Sequence, residues 1–311
     1  MKAVIINKYG STNELRLTDL PIPNIKTNEV LVKNYYTSVN PWDYRVRNGS
    51  MKMFTGKKFP KILGVESAGI IEKVGDEVQT YKKGKRVMVS TGIKTGSYAE
   101  YVAVPVSSLT KLPDDVTFKE GTTLPIVGTT AHNALHQLGA IKTGQKVLVN
   151  GAYGGVGIMA VQLAKLAGAV VTAVCSSQYI KEVKKIGADH IIDYKKQDVY
   201  QIQEQFDILF DTVSVLSFKK AKRLIKKGGV MINTLPTPKA MLTQLTSSLG
   251  AKKFKSINNK VDPKILAELA QLVSQKKLIV IIDKEYSLGS LREAHTYSES
   301  GKAKGKIVVK I

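Results

Sequence analysis

Small residues crowd at positions 151–157, reading GAYGGVG, directly after the apolar run VLVN, and that order could hold the pyrophosphate of a nucleotide. Gly151 permits a tight turn. Gly154 and Gly155 let the backbone approach a phosphate without an intervening Cβ, and Gly157 allows the following helix to pack closely on the strand. Ala152, Tyr153 and Val156 complete the loop. The helix through VQLAKLAG, ending at Gly168, would turn its unpaired N–H groups toward the anion. AVVTAVCSS then reads as a second strand. A glycine cluster alone is often an ordinary strand-to-helix turn, but strand, turn, helix and strand in succession supply the setting a dinucleotide site needs.

Cofactor preference is read at the end of that second strand, where Asp or Glu accepts from a ribose 2′-hydroxyl and repels a 2′-phosphate. Here the residues are Cys175, Ser176, Ser177 and Gln178, with Lys181 close behind. Hydroxyls and an ammonium suit a phosphate, so NADPH is the expected cofactor. The alternative is that Lys181 lies on a solvated helix face and Ser176 caps that helix. His132 and His136 have a metal-compatible i, i+4 spacing, but AsnAlaLeu between them lacks the glutamate of a zinc hydrolase motif, and no metal is expected there.

The elements that must carry these residues fall into two patterns. As far as about Leu112, short β-rich segments (AVII, VLVKNYY, AGIIEKVG, KRVMV, YAEYVAV) suggest an antiparallel or barrel-like module. From about Thr117, a helical stretch through ALHQLG leads into alternating strands and helices at VLVNG, VVTAVC, HIIDY, FDILFDTV and GGVMINTL, the pattern of a doubly wound parallel sheet. After a helix around 264–276, LIVIIDKEYSL and GKIVVKI lie too far along to belong to that sheet and are expected to return to the first module. Residues 117–276 thus form a nucleotide-binding domain inserted into a second domain made of 1–116 and 277–311.

The chain has 311 residues, 43% of them apolar, enough for about two folded domains. Its single cysteine, Cys175, excludes a disulfide framework and any site built from several cysteines. With no long apolar span and no cleavage pattern at the start, a cytoplasmic protein is expected. The net charge of +22 comes mainly from lysine scattered over helices and turns. It predicts loose electrostatic attraction to anionic membrane surfaces rather than specific nucleic-acid binding, since no basic patch is interleaved with aromatics.

Taken in order, the motifs NPWDYRVRNG from Asn40, GVESAGIIEKVG from Gly64, KKGKRVMV from Lys82, GSYAEYVAV from Gly96, the glycine turn, GADHIIDY from Gly187 and GKAKGKIVVK from Gly301 give the whole chain a resemblance to a known family. It resembles the medium-chain dehydrogenase/reductase superfamily, in its zinc-free quinone oxidoreductase and enone reductase branch, and is similar to the chloroplast-envelope quinone oxidoreductase-like proteins. The resemblance implies a Rossmann-type sheet inserted into a GroES-like, β-rich partial barrel, and a homodimer. Membrane attachment in the envelope group makes the basic charge relevant. Where the zinc alcohol dehydrogenases place Cys and His ligands, this chain has Asn40 and Val65, and their four-cysteine lobe is replaced by the short loop from Ser90 to Gly96.

The resemblance also assigns candidate residues. Tyr194, in GADHIIDY, joins Ser176, Ser177 and Lys181 at the 2′-phosphate; Thr129 matches a threonine near the nicotinamide, and Thr234 ends the strand before a site loop. Without a metal to polarise a simple alcohol, conjugated acceptors are favoured, and NADPH would deliver hydride to a quinone or to the β-carbon of an α,β-unsaturated carbonyl. Donors to steady the developing oxyanion are sought in NPWDYR: the Asn40 amide, the Tyr44 phenol, and Arg45, which stands where many quinone oxidoreductases carry tyrosine. A structural alternative has Asn40-Pro41 shaping a turn and Asp43 capping the helix. Rival functions are a 2-enoyl thioester reductase and a non-catalytic NADPH sensor that binds RNA or membranes.

Overall fold

A computed structural model describes residues 1–311. Sixteen strands run in chain order as β1 (Lys2–Ile6), β2 (Arg16–Asp19), β3 (Glu29–Val39), β4 (Lys61–Ile62), β5 (Glu66–Val74), β6 (Arg86–Ser90), β7 (Tyr101–Pro105), β8 (Leu109–Lys111), β9 (Lys146–Asn150), β10 (Val170–Cys175), β11 (His190–Asp193), β12 (Phe206–Asp211), β13 (Ile225–Asn233), β14 (Lys253–Ser256), β15 (Ile282–Ser287) and β16 (Lys306–Lys310). The chain divides into two compact units, Met1–Ile126 with Lys260–Ile311, and Val127–Asn259.

The first unit is built around the long strand β3. One edge of β3 pairs antiparallel with β5; the other pairs with β7 along its first half and with β16 along its second. β5 continues to β6 and β8, β15 joins β16 in parallel, and β1 makes a smaller sheet with β2 and β4. The closing GKIVVKI strand therefore does return to the first module. Its core includes Val30, Val32, Ile71, Val87, Val89 and Leu109, all buried. The helix Pro263–Ser274 clusters with this unit, whereas the sequence boundary at 276 groups it with the other. Asp262 caps it and Pro263 opens it, and it buries Ile265, Leu266, Leu269, Ala270 and Val273 along one stripe.

The second unit is a parallel sheet in the order β11-β10-β9-β12-β13-β14. Helices cover such a sheet on both faces, so its central strands are apolar throughout: Val147, Leu148 and Val149 of β9 have no exposed surface. The order steps outward from β9 in both directions, and ligands in such sheets sit beyond the carboxyl ends of the strands where the winding reverses. The helical stretch expected through ALHQLG begins as an α-helix, Leu124–His132, and widens into a π turn over Asn133–Leu138.

Candidate functional site

At the carboxyl end of β9 the chain turns at Gly151, whose φ of +77° is the left-handed region that favours glycine. A Cβ there would also meet Thr212 Oγ1 at 2.7 Å. A Cβ on Gly157 would come within 2.1 Å of the Gly151 carbonyl oxygen, so the fold itself demands glycine where the helix Gly155–Leu166 crosses the turn. Gly154 differs. Its Cβ would make only an ordinary 3.5 Å contact with the Gly151 oxygen, so packing within the chain does not require its bareness. Gly154 is the N-cap of the helix and no side chain caps that end, which leaves first-turn N–H groups for an anion.

The other coenzyme candidates lie in the same unit. Ser176, after β10, is buried with its hydroxyl unpartnered. Ser177 donates its hydroxyl to the Asp193 carboxylate, because parallel pairing sets Cys175 opposite Asp193. Reading β10 alone showed no carboxylate at this corner; the neighbouring strand supplies one, which Ser177 holds below the usual carboxylate range. Lys181 and Tyr194 are exposed, and Tyr153 of the glycine turn stacks on Tyr179, centroids 4.8 Å apart. Thr129 accepts from Asn259 Nδ2 at 3.0 Å. Thr234 donates to the Thr212 carbonyl oxygen at 3.0 Å and so ties the turns after β12 and β13 together.

In the first unit the NPWDYR segment forms the helix Pro41–Arg47. Proline at its first position presets the backbone, and the Asn40 N–H donates to Asp43 Oδ2 at 2.7 Å. Asn40 presents no free donor. Its Nδ2 donates to Glu66 Oε1 at 2.7 Å and to Ser38 Oγ at 3.4 Å, and its Oδ1 accepts from Lys306 Nζ at 2.7 Å. Tyr44 and Arg45 are half-buried, the guanidinium 5.9 Å from the phenol ring centroid.

Glu66 and Lys306 centre a cluster that sequence reasoning missed. Glu66 is fully buried; its Oε1 accepts from Ser38, Asn40 and Lys306 (2.8 Å), and its Oε2 from the Ile126 N–H at 2.8 Å. The Lys306 side chain is 4% exposed. Pairing of β16 with β3 brings a lysine from the end of the chain to a glutamate 240 residues earlier, and the only signal for it was a lysine at the head of the apolar run IVV. Nearby, burial pushes the Asp43 carboxyl up to about 7, with the charge of Glu66 adding to it. Burial pushes His295 down to about 3, and the Arg47 guanidinium beside it acts the same way. Arginine only donates, so His295 Nδ1 accepts from Arg47 Nη1 (3.3 Å) and Nε2 carries the proton toward the Tyr98 hydroxyl (3.2 Å). No three His, Cys, Asp or Glu side chains are grouped so as to hold a metal ion.

A glycine turn opening a helix at the switch point of a parallel sheet, in a chain that also builds a separate β-rich unit, defines a dinucleotide-dependent oxidoreductase fold. Two family models match, the alcohol dehydrogenase GroES-like domain over residues 26–114 and the zinc-binding dehydrogenase over residues 186–309. The chain is 35% identical to the chloroplastic quinone-oxidoreductase QR1 of Triphysaria versicolor, over 99% of this chain and 98% of that one. It is 30% identical to the chloroplastic NADPH-dependent alkenal/one oxidoreductase of Arabidopsis thaliana, over 99% and 79% of the two chains. The solved quinone oxidoreductase from Coxiella burnetii superposes with a TM-score of 0.94 at 29% identity, covering 100% of this chain and 99% of that one. The chain belongs to the medium-chain dehydrogenase/reductase superfamily, with its GroES-like domain and Rossmann-type sheet.

Proposed function

We propose that the protein is a zinc-independent, NADPH-dependent oxidoreductase that reduces quinones or the C=C bond of α,β-unsaturated carbonyls. The observation that carries this reading is the Lys306 ammonium at 2.7 Å from Asn40 Oδ1 and 2.8 Å from Glu66 Oε1. Where zinc-dependent members of the superfamily place ligands, this chain has Asn40 and Val65, and a fixed positive charge already sits against the remaining oxygen donors. A divalent cation there would meet that charge and lack the three N, S or O ligands it needs. Without Lewis-acid polarisation, acceptors whose developing oxyanion is already delocalised by conjugation are the accessible ones. The names of the two curated relatives support the same substrate classes.

The second unit fits the coenzyme. The uncapped helix start would face the pyrophosphate, Gly154 leaves room for it, and the unpartnered Ser176 hydroxyl with Ser177, Lys181 and Tyr194 would hold the ribose end and its 2′-phosphate. Bound there, NADPH supplies the hydride. Thr129 and Thr234, each held by a hydrogen bond to a neighbouring segment, would border the nicotinamide end. Asn40 sets the start of the Pro41–Arg47 helix, leaving Tyr44 and Arg45 as the donors that steady the substrate oxygen.

The test is a panel of quinones, short and long enones and enoyl thioesters, scored by loss of NADPH absorbance with NADH alongside and metal content measured. Turnover of quinones or enones by metal-free protein with NADPH preferred is the expected result; turnover of thioesters alone, a requirement for zinc, or no turnover would overturn the proposal. Asp193→Asn removes the carboxylate beside Ser177. Loss of one repulsion of about 1 kcal/mol should raise the preference for NADPH over NADH about fivefold.

A further inference from the structure

The helix Pro41–Arg47 has seven residues, too few to hold its own shape or direction in water, so tertiary contacts must aim the Tyr44 and Arg45 side chains. Its buried face shows which. Asp43 near its start and Arg47 at its end stand one turn apart on that face, exposed by 0% and 2%. The Arg47 guanidinium is fully engaged: Nε donates to the Gly10 carbonyl oxygen at 3.3 Å, Nη1 to His295 Nδ1 and Nη2 to Glu299 Oε1 at 2.6 Å. His295 and Glu299 are themselves one turn apart on the helix Leu291–Glu299.

From His295 the line of hydrogen bonds returns to the start of the same short helix. His295 Nε2 donates to the Tyr98 hydroxyl, which leaves the hydroxyl proton for the Asp43 carboxyl beside it, whose Oδ1 takes no other hydrogen bond. The Asn40 N–H occupies Oδ2. Arginine can only donate, so the line has one direction, and turning any member round would set donor against donor or acceptor against acceptor. Tyr98 is itself pinned. Its N–H donates to the Leu63 carbonyl oxygen at 3.0 Å, its carbonyl oxygen accepts from the Val4 N–H at 2.8 Å, and a Cβ on Gly64 would come within 2.5 Å of its ring. Apolar side chains could fill this space without burying charge, but apolar contact has no direction, whereas hydrogen bonds weaken steeply once bent below about 120°.

We propose that Tyr98 and His295 are positioning residues for the reduction: they tie both ends of the helix Pro41–Arg47 to one line of hydrogen bonds and so fix where Tyr44 and Arg45 meet the substrate oxygen. Both are fully buried and act only through that helix. The leverage is large, since a donor misplaced by about 1 Å can cost about a hundredfold in rate. The inference rests on the reading of Tyr44 and Arg45 as the donors. Every residue of the line belongs to the first unit, so coenzyme binding in the second should not depend on it.

Oxidation of NADPH by the full-length protein with a quinone as acceptor tests it. Tyr98→Phe keeps the ring and removes only the hydroxyl; it should lower kcat about tenfold and leave the KM for NADPH unchanged. His295→Leu should do the same, and His295→Gln, which can still accept from Arg47 and donate to Tyr98, should recover most of the loss. In a Tyr44→Phe/Arg45→Met background, Tyr98→Phe should cost less than about twofold, because no donor remains for it to aim. Should Tyr44→Phe/Arg45→Met turn over like the parent, the donor reading fails and this inference with it. Should that background be slow and Tyr98→Phe still cost about tenfold in it, the donors stand and the positioning role is overturned. Lower thermal stability of Tyr98→Phe with kcat unchanged would overturn it as well.

Discussion

Polar groups are treated in opposite ways in two places, one in each unit. In the first, Glu66, Lys306, Asn40 and Ser38 satisfy one another, and Arg47, His295 and Tyr98 form a second chain nearby. In the second, the end of the parallel strands leaves a helix start uncapped and the buried Ser176 hydroxyl without a partner. A buried polar group costs stability unless paired, so the closed set reads as a frame and the open set as a place kept for a ligand. The residue types alone do not distinguish the two.

Breaking the closed set should have the largest effect. Lys306→Met strands the Glu66 carboxylate in the core and should destabilise the protein by about 3–5 kcal/mol in denaturant unfolding, with Glu66→Gln added to it restoring a good part. A loss under about 1 kcal/mol would show that the pair is solvated in solution.

Acidity probes the same region more finely. The Asp43 carboxyl is raised to about 7, so its share of stability is present below its unfolded pKa and is lost as pH climbs from about 4 to 7. His295 is lowered to about 3, so its share is present above its unfolded pKa and is lost as pH falls from about 6.5 toward 3. Over about pH 4.5–6.5 the two trends oppose. Asp43→Asn should therefore make stability rise with pH across that window relative to the parent, and His295→Gln should make it fall. Parallel curves for all three proteins would contradict the burial of these groups.

The open set should respond in binding rather than stability. Gly154→Ala adds a methyl with only a 3.5 Å contact to the Gly151 oxygen, so unfolding should be nearly unchanged while NADPH affinity drops about tenfold, read by fluorescence titration. A stability loss with unchanged affinity would return Gly154 to a purely structural role.

Much of the fold was readable from local pattern. The apolar runs of β9, β10 and β12, the glycine turn between strand and helix, and the capped amphipathic helix after Asp262 each announce themselves within about a dozen residues. The candidate site was only half readable. Gly151 and Gly157 carry their reasons in the turn itself, but Asn40 looked like a free donor because the Glu66 carboxylate that takes its amide N–H is brought to it only by the pairing of β3 with β5. The β10 corner looked free of carboxylates because Asp193 stands on the neighbouring strand, eighteen residues beyond Cys175 and directly opposite it.

Period, turn residues and caps are short-range properties of the backbone, and the amino-acid sequence by itself determined the order of strands and helices, the split first module and the nucleotide-type turn. Which side chains end up neutralising one another depends on strand pairing across the whole chain. Only the tertiary structure decided that Glu66 would bury a lysine and that Ser177 would answer to Asp193, because each of these meetings is set by register and packing between segments that local sequence does not connect.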